Sequence, residues 1–468
     1  MVKRLSSPSA ASRRSAWALG DEMLSSLTNF LASAMAARAV SPSSFGAYSL
    51  ALITVFIVLQ VIRSFTSCPV VVLFSAEEGW TDDARAAATA SLGLGALAGL
   101  AFVGAGLILP GTVGNGLIAI GPFVPLLMLG DYCRFLFVAE RRPQLAVLVD
   151  LVWLLGLVGV AVWLNATGSA HYPSYLLAWS VTGAVAAILG AIMSRFRPAW
   201  RGAGTWLVKT RTLGGTYLAD YVGGSGGSQL TVYILGAVVG VEGVAALRGA
   251  EILVGPIYVL VQGMVLALIP EAVRATKGNP GAVRPIALRA SALQIAMIVM
   301  FGAVILSIPS SVGSAIFGDS WAVARTVLVP TLVSTLFLGI SIGAIVGLRA
   351  LVANREMLAA RSIGLPLSIA GGVIGVLVDG ARGAAIGLAM ARALQAPCWW
   401  VALHIAVRDR EALAFDATAL DDVTRRPSGP REVDDERALL TASATVPDGY
   451  GRESRPQISM SQIGPNHE

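Results

Sequence analysis

Charge is scarce in this sequence. Only 13% of its 468 residues are Asp, Glu, Lys or Arg, about half the share of an ordinary soluble domain. Histidine is scarcer still: His171, His404 and His467 stand far apart, which excludes a clustered histidine site for catalysis or metal binding. The three cysteines, Cys68, Cys133 and Cys398, show no metal-binding or disulfide spacing, and they read as small buried hydrophobes. The pattern GxxxxGK[ST] is missing, so ATP hydrolysis by a P-loop is excluded. No long polar insertion interrupts the chain before its tail, which argues against a glycan polymerase, ligase or glycosyltransferase built on a large outer loop. A cleavable signal peptide is not expected either. The first apolar stretch is too long, carries Asp21 and Glu22, and lacks a small-residue cleavage site.

What the chain has is apolar length. It is 55% hydrophobic, with a mean hydropathy of +0.71. Apolar stretches fall at 17–40, 45–75, 85–109, 112–130, 144–165, 174–194, 214–239, 243–270, 286–308, 322–348, 361–378 and 384–407. About 20 apolar residues cross a bilayer as a helix. The expected class is therefore all-α: a polytopic membrane protein of about 12 transmembrane helices arranged as two six-helix bundles around a central cavity. Its 51 glycines suit close helix packing. The expected parts are a cytoplasmic segment 1–16, bundles 17–200 and 201–407, and a disordered acidic cytoplasmic tail 408–468. From residue 407 onward the tail holds eight arginines against twelve acidic residues. The rest of the chain is basic, which positive cytoplasmic loops explain without nucleic acid.

Arginine and lysine alternate between loops. Arg134, Arg141 and Arg142, then Arg195, Arg197, Arg201, Lys209 and Arg211, then Arg274, Lys277, Arg284 and Arg289, then Arg349, Arg355 and Arg361 share one side with Lys3, Arg4, Arg13 and Arg14. The other side has Arg325 and Arg382 as exceptions. Both termini are thus expected in the cytoplasm, with the protein in the plasma (inner) membrane. A weak internal repeat pairs 27–50 with 230–253 at an offset of 203, as in Gly46-Ala47 against Gly249-Ala250.

Polar residues inside apolar stretches mark a cavity or a partner. Glu22, Ser26, Asn29 and Ser33 share one face of helix 1. They read as a wall of a water-filled cavity, or as hydroxyl and amide glue between helices. Arg63, deep in helix 2, suits a phosphate or pyrophosphate, or a structural pair with Glu22 or Asp150. Arg248 and Glu251 are spaced to pair with each other, and the repeat also places Arg248 at a cavity. Arg38 ends helix 1, where it either snorkels or touches substrate. Arg392 is shallower than Arg63 and is assigned no role. Asp150 and Asp220 are candidates for a coupling ion or for salt bridges, and Asp131 with Arg134 reads as a local pair. Gly223, Gly224, Gly226 and Gly227 make a poor helix interior and, with Pro256 and Pro366, suggest a hinge or kinks.

The run WALGDEMLSSLTNFLASAMAARAVSPSSFGAYSLA at 17–51 resembles the start of Wzx-type polysaccharide-export flippases, as do ALRGAEILVGP at 246–256 and DYCRFLFVAERRPQLAVLVD at 131–150. That resemblance covers about 17–407. It implies the fold of the multidrug/oligosaccharidyl-lipid/polysaccharide exporter superfamily, two six-helix bundles around a cavity opened by helices 1, 2, 7 and 8. It further implies a polyprenyl-pyrophosphate-linked oligosaccharide as substrate, with cavity arginines on the pyrophosphate, Arg63 first and Arg248 second. The expected partners are that lipid-linked glycan, membrane lipid and polysaccharide-assembly enzymes, with no nucleic acid and no cofactor or metal. A cation-coupled multidrug exporter of the same fold and a peptidoglycan-precursor (lipid II) flippase are the alternatives; neither is an enzyme.

Overall fold

The computed structural model describes residues 10–74, 81–169, 171–276 and 279–425. Lys3, Arg4, Lys277, His467 and the tail beyond Arg425 lie outside the described residues. Contacts divide the chain into Met1–Ala412 and Leu413–Glu468. In the second unit the last helix continues to Arg425, within the stretch expected to be disordered.

The described residues are helical throughout, with short turns. In order come α1 (Ala10–Ala39), α2 (Pro42–Phe65), α3 (Ser67–Phe74), α4 (Thr81–Ile108), α5 (Gly111–Ile120), α6 (Val124–Ala139), α7 (Pro143–Ala166) and α8 (Tyr172–Met193). Then follow α9 (Trp200–Tyr221), a π-helical turn Val222–Gly226, α10 (Gly227–Val238), α11 (Val241–Ala275), α12 (Val283–Leu306), α13 (Ser310–Phe317), α14 (Ser320–Ala350) and α15 (Asn354–Arg425). Eight helical segments are long and apolar enough to cross a membrane. One of them, Asn354–Ala412, is broken at Asp379 and Gly380, whose backbones are not helical. There it folds back on itself: Gly371 lies against Gly387, and Gly375 against Gly383. Side chains at these glycines would hold the two rods apart, so their absence lets backbone meet backbone.

Several boundaries differ from the hydropathy reading. Helix α1 begins at Ala10, inside the segment 1–16 expected to precede the first membrane helix. The fourth apolar stretch continues to Ala139, past Asp131 and Arg134, because both charges find partners on other helices. The seventh starts at Trp200, since its polar first half packs on protein. Helix α11 runs unbroken past Pro256. The α1–α2 turn at Val40–Ser41 and the α10–α11 turn at Val239–Gly240 are spaced about one helical turn closer than the offset of the sequence alignment. Of the cysteines, Cys133 is buried, while Cys68 and Cys398 are half-buried.

Local signals place the ends. Ser41 caps α2, accepting from the Ser44 amide at 3.4 Å, and Pro42 opens the helix where no amide is needed. Three ends close on left-handed residues that are not glycine: Arg141 (φ 61°), Arg195 (φ 53°) and Val352 (φ 53°). At the last, Arg410 on α15 donates to the carbonyls of Leu351 and Val352. Beside it Glu411 meets Arg284 at 3.4 Å.

Helix α9 packs on the early helices. Trp206 Nε1 and Thr210 Oγ1 both donate to the Phe65 carbonyl, at 3.1 and 3.2 Å. The Ala199 amide donates to Thr89 Oγ1 at 2.8 Å, and Lys209 meets Asp83 at 2.7 Å. Beyond the π turn, α10 changes company. Gly227 abuts Ser368, and Thr231 abuts Gly372, both on α15. At the end bearing the Val40 and Val239 turns, Gly46 touches the Val241 backbone and Gly318 touches Arg38. Ser320 Oγ donates to the Ala37 carbonyl at 3.1 Å. The array is tight at that end.

Candidate functional site: a charged crevice inside the helix array

Towards the opposite, arginine-rich end the helices part around a string of cavities. The first, about 420 Å³, is lined by Asp21, Glu22, Asn29, Gln60, Arg63 and Arg134, among others. A smaller cavity of about 80 Å³ shares Asn29, Arg63 and Arg134 and adds Asp131, Asp150 and Trp179. Arg63 also lines a third, about 290 Å³, with Tyr217, Asp220, Gly224 and Arg361. Gly224 and Arg361 in turn line a fourth, about 190 Å³, with Ser341, Arg392, Gln395 and Trp399. Shared walls make these one crevice from α1 to α15.

The ionic groups inside it are organised. Arg63 makes a two-pronged bond to Asp131, Nε to Oδ2 at 3.0 Å and Nη2 to Oδ1 at 2.5 Å. Its Nη1 donates to Gln60 Oε1 at 2.5 Å, and its guanidinium lies 5.0 Å from the Phe135 ring centroid. The carboxylate expected for Arg63 was Glu22 or Asp150, so Asp131, 68 residues away, is a correction. The expected Asp131–Arg134 pair is also corrected. Arg134 instead joins Asp21 at 2.8 Å and Asp150 at 3.2 Å. The second contact is badly aligned, leaving both Asp150 oxygens without a hydrogen bond. Asn29 accepts from Trp179 Nε1 at 3.2 Å, and Trp179 packs on Trp153 and Phe56 as an aromatic wall.

The remaining expected residues divide. Glu22 is exposed to the crevice. Asp220 lines it and pairs with Arg361. Gly223 and Gly224 line it through the π turn, whereas Gly226 and Gly227 face Leu365 and Ser368. Arg248 pairs with Glu251 at 2.5 Å and is not among the lining residues of these cavities. Arg38 is exposed at the closed end, away from the crevice, and Pro256 is exposed on α11. Among the described residues no group of acidic, histidine and cysteine side chains is arranged to hold a metal. Sequence reasoning missed Arg361, Arg392 and Gln60 as lining residues; the spacing of Gln60 three residues before Arg63 was a usable signal.

No protein-family model matches the chain, and no curated protein matches it at a significant level. Solved structures do. An inward-facing multidrug resistance MATE family transporter of the MOP superfamily superposes with a TM-score of 0.69 at 14% identity, covering 85% of this chain and 99% of that one. The lipid II flippase MurJ, in an inward closed conformation, gives 0.61 at 13% identity over 90% and 95%. A MOP superfamily transporter from Pyrococcus furiosus, for which reverse polarity of the binding pocket suggests a different function, gives 0.58 at 13% over 85% and 95%. The chain therefore has the all-helical fold shared by these transporters.

Proposed function

We propose that this protein carries a polyprenyl-pyrophosphate-linked oligosaccharide across the plasma membrane, from the cytoplasmic to the outer leaflet, by alternating access. The observation behind this reading is the crevice: ionic and aromatic inside, walled by apolar helices, and shut at one end. Charges held there are costly unless they serve a pathway or each other. The arginine-rich end is placed in the cytoplasm, with twelve crossings and both termini inside. In this state a head group enters from the cytoplasm while the polyprenyl chain stays in lipid. The π turn at Val222–Gly226 is the pivot, because α9 packs on the early helices and α10 on α15. Net transport requires unequal binding in the two states, supplied by substrate or by an ion. Asp150 and Asp220 remain the candidate ion-coupling groups, and Asn29 and Glu22 are candidate contacts in the crevice that Arg63 also lines.

One observation favours a second reading. The cavities on the α1 side hold two arginines against four carboxylates, Asp21, Glu22, Asp131 and Asp150, which suits a cation. That is the chemistry of a cation-coupled multidrug exporter. Liposomes carrying the protein separate the readings. Translocation of a fluorescent lipid-linked oligosaccharide supports the flippase; its absence alongside ion-driven efflux of cationic dyes establishes the exporter. Translocation of lipid II but of no other lipid-linked glycan would assign the peptidoglycan precursor.

A further inference from the structure

Arg392, to which the sequence assigned no role, is the arginine of the crevice that forms no ion pair among the described residues; Glu251, the acidic group that acts on it from α11, is itself paired with Arg248 at 2.5 Å. It stands on the second rod of α15, and its Nη1 donates to Tyr258 Oη at 3.2 Å. Tyr258 Oη is in turn 3.3 Å from Thr335 Oγ1. A neutral hydroxyl orients a guanidinium without cancelling its charge. Among the described residues no acidic oxygen forms an ion pair with it. The other arginines lining the crevice are engaged: Arg63 with Asp131, Arg134 with Asp21 and Asp150, and Arg361 with Asp220.

The surroundings of Arg392 reinforce the point. Its cavity, about 190 Å³, is shared with Arg361, Gln395 and Ser341, and no carboxylate lines it. Asp220, the partner of Arg361, is 56% exposed on its side chain, so a stronger anion can displace it. The crevice is thus polarised along its length, acidic on the α1 side and basic on the α15 side.

We infer that the diphosphate of the transported lipid is held at Arg392, with Arg361 as second donor, while Arg63 is a structural pair with Asp131. This rests on the lipid-linked-substrate reading. The physical ground is simple. A diphosphate carries at least two negative charges, and on the α1 side it meets a surplus of carboxylates. At Arg392 it meets a positive charge that no carboxylate pairs directly, on a guanidinium that can offer two parallel hydrogen bonds. Tyr258 is the positioning residue that aims it.

The test is a binding titration of the purified full-length protein in nanodiscs. The probes are a short-chain prenyl diphosphate and the alcohol of the same chain. Wild type is expected to prefer the diphosphate. Arg392→Ala is expected to lower diphosphate affinity by about ten-fold or more and leave the alcohol unchanged. Arg392→Lys should recover part of the loss, and Tyr258→Phe should weaken the diphosphate less than Arg392→Ala does. Arg392→Gln carries the same comparison if the alanine variant is not monodisperse. Unchanged diphosphate affinity in the Arg392 variants, with loss in Arg63→Ala, overturns the assignment and leaves the transport reading standing. If wild type itself binds diphosphate no better than alcohol, the lipid-linked reading fails, and this inference fails with it.

Discussion

Arg134 holds two buried carboxylates at once, and its loss should be among the most damaging single changes in the protein. Its side chain is 11% exposed, against 9% for Asp21 and 1% for Asp150. Replacing Arg134 with Met keeps most of the volume and removes the charge. Two acidic groups then remain in a low-dielectric site with nothing opposite them. Breaking one buried pair costs about 3–5 kcal/mol, and Arg134→Met should reach that range. The two carboxylates are not equal. Asp21 accepts a well-formed bond at 2.8 Å, whereas Asp150 has only a misaligned contact at 3.2 Å. Asp21→Asn should therefore cost about 2 kcal/mol, a charge-assisted hydrogen bond. Asp150→Asn should cost about 1 kcal/mol or less, because it also removes one of two negative charges competing for one cation. The double variant Arg134→Met/Asp150→Asn should be more stable than Arg134→Met alone. Thermal unfolding in one detergent, followed by intrinsic fluorescence and completed as a double-mutant cycle, reads all four. An Arg134→Met protein that melts with wild type, or an Asp150→Asn protein that melts lower than Asp21→Asn, refutes the account.

Three further outcomes are expected. Alanine at Gly223 or Gly224 meets open space, with only Arg361 Cβ at 3.9 Å from the former; both variants should fold, gain up to about 1 kcal/mol of helix propensity, and transport more slowly in the liposome assay because the pivot stiffens. Alanine at Gly387 drives its methyl into the Gly371 carbonyl, so this variant should lose about 1–3 kcal/mol and show a lower melting temperature. Val352→Gly removes a β-branched residue from a left-handed backbone at φ 53°, so it should gain about 1 kcal/mol net of the added freedom of the unfolded chain and melt higher.

Hydropathy was enough to find most of the helices, because a lipid-facing helix must be apolar over its whole length. It failed where a helix faces protein. The first half of α9, rich in Lys and Arg, has the composition of a loop, yet Trp206 and Thr210 seat it on Phe65. The ionic pairing failed for a different reason. Local spacing joined Asp131 to Arg134, but α2 and α1, far earlier in the chain, supplied better-aligned partners in Arg63 and Asp21. Arg248–Glu251 was legible because both groups lie on one helix face. Arg392 was underrated by the depth argument used for Arg63: depth alone does not say which arginine a carboxylate will reach, and Arg63 has one while Arg392 does not.

The contacts of Arg410 and Glu411 set a practical limit on where this chain can be cut. Arg410 clasps the turn before α15, and Glu411 reaches back to Arg284 at the start of α12. A fusion partner or purification handle joined after residue 412 keeps both fastenings. Trimming only three residues further removes them together and releases the turn that carries Val352. A protease that nicks the chain on either side of that point would accordingly leave the latch closed in one case and open in the other.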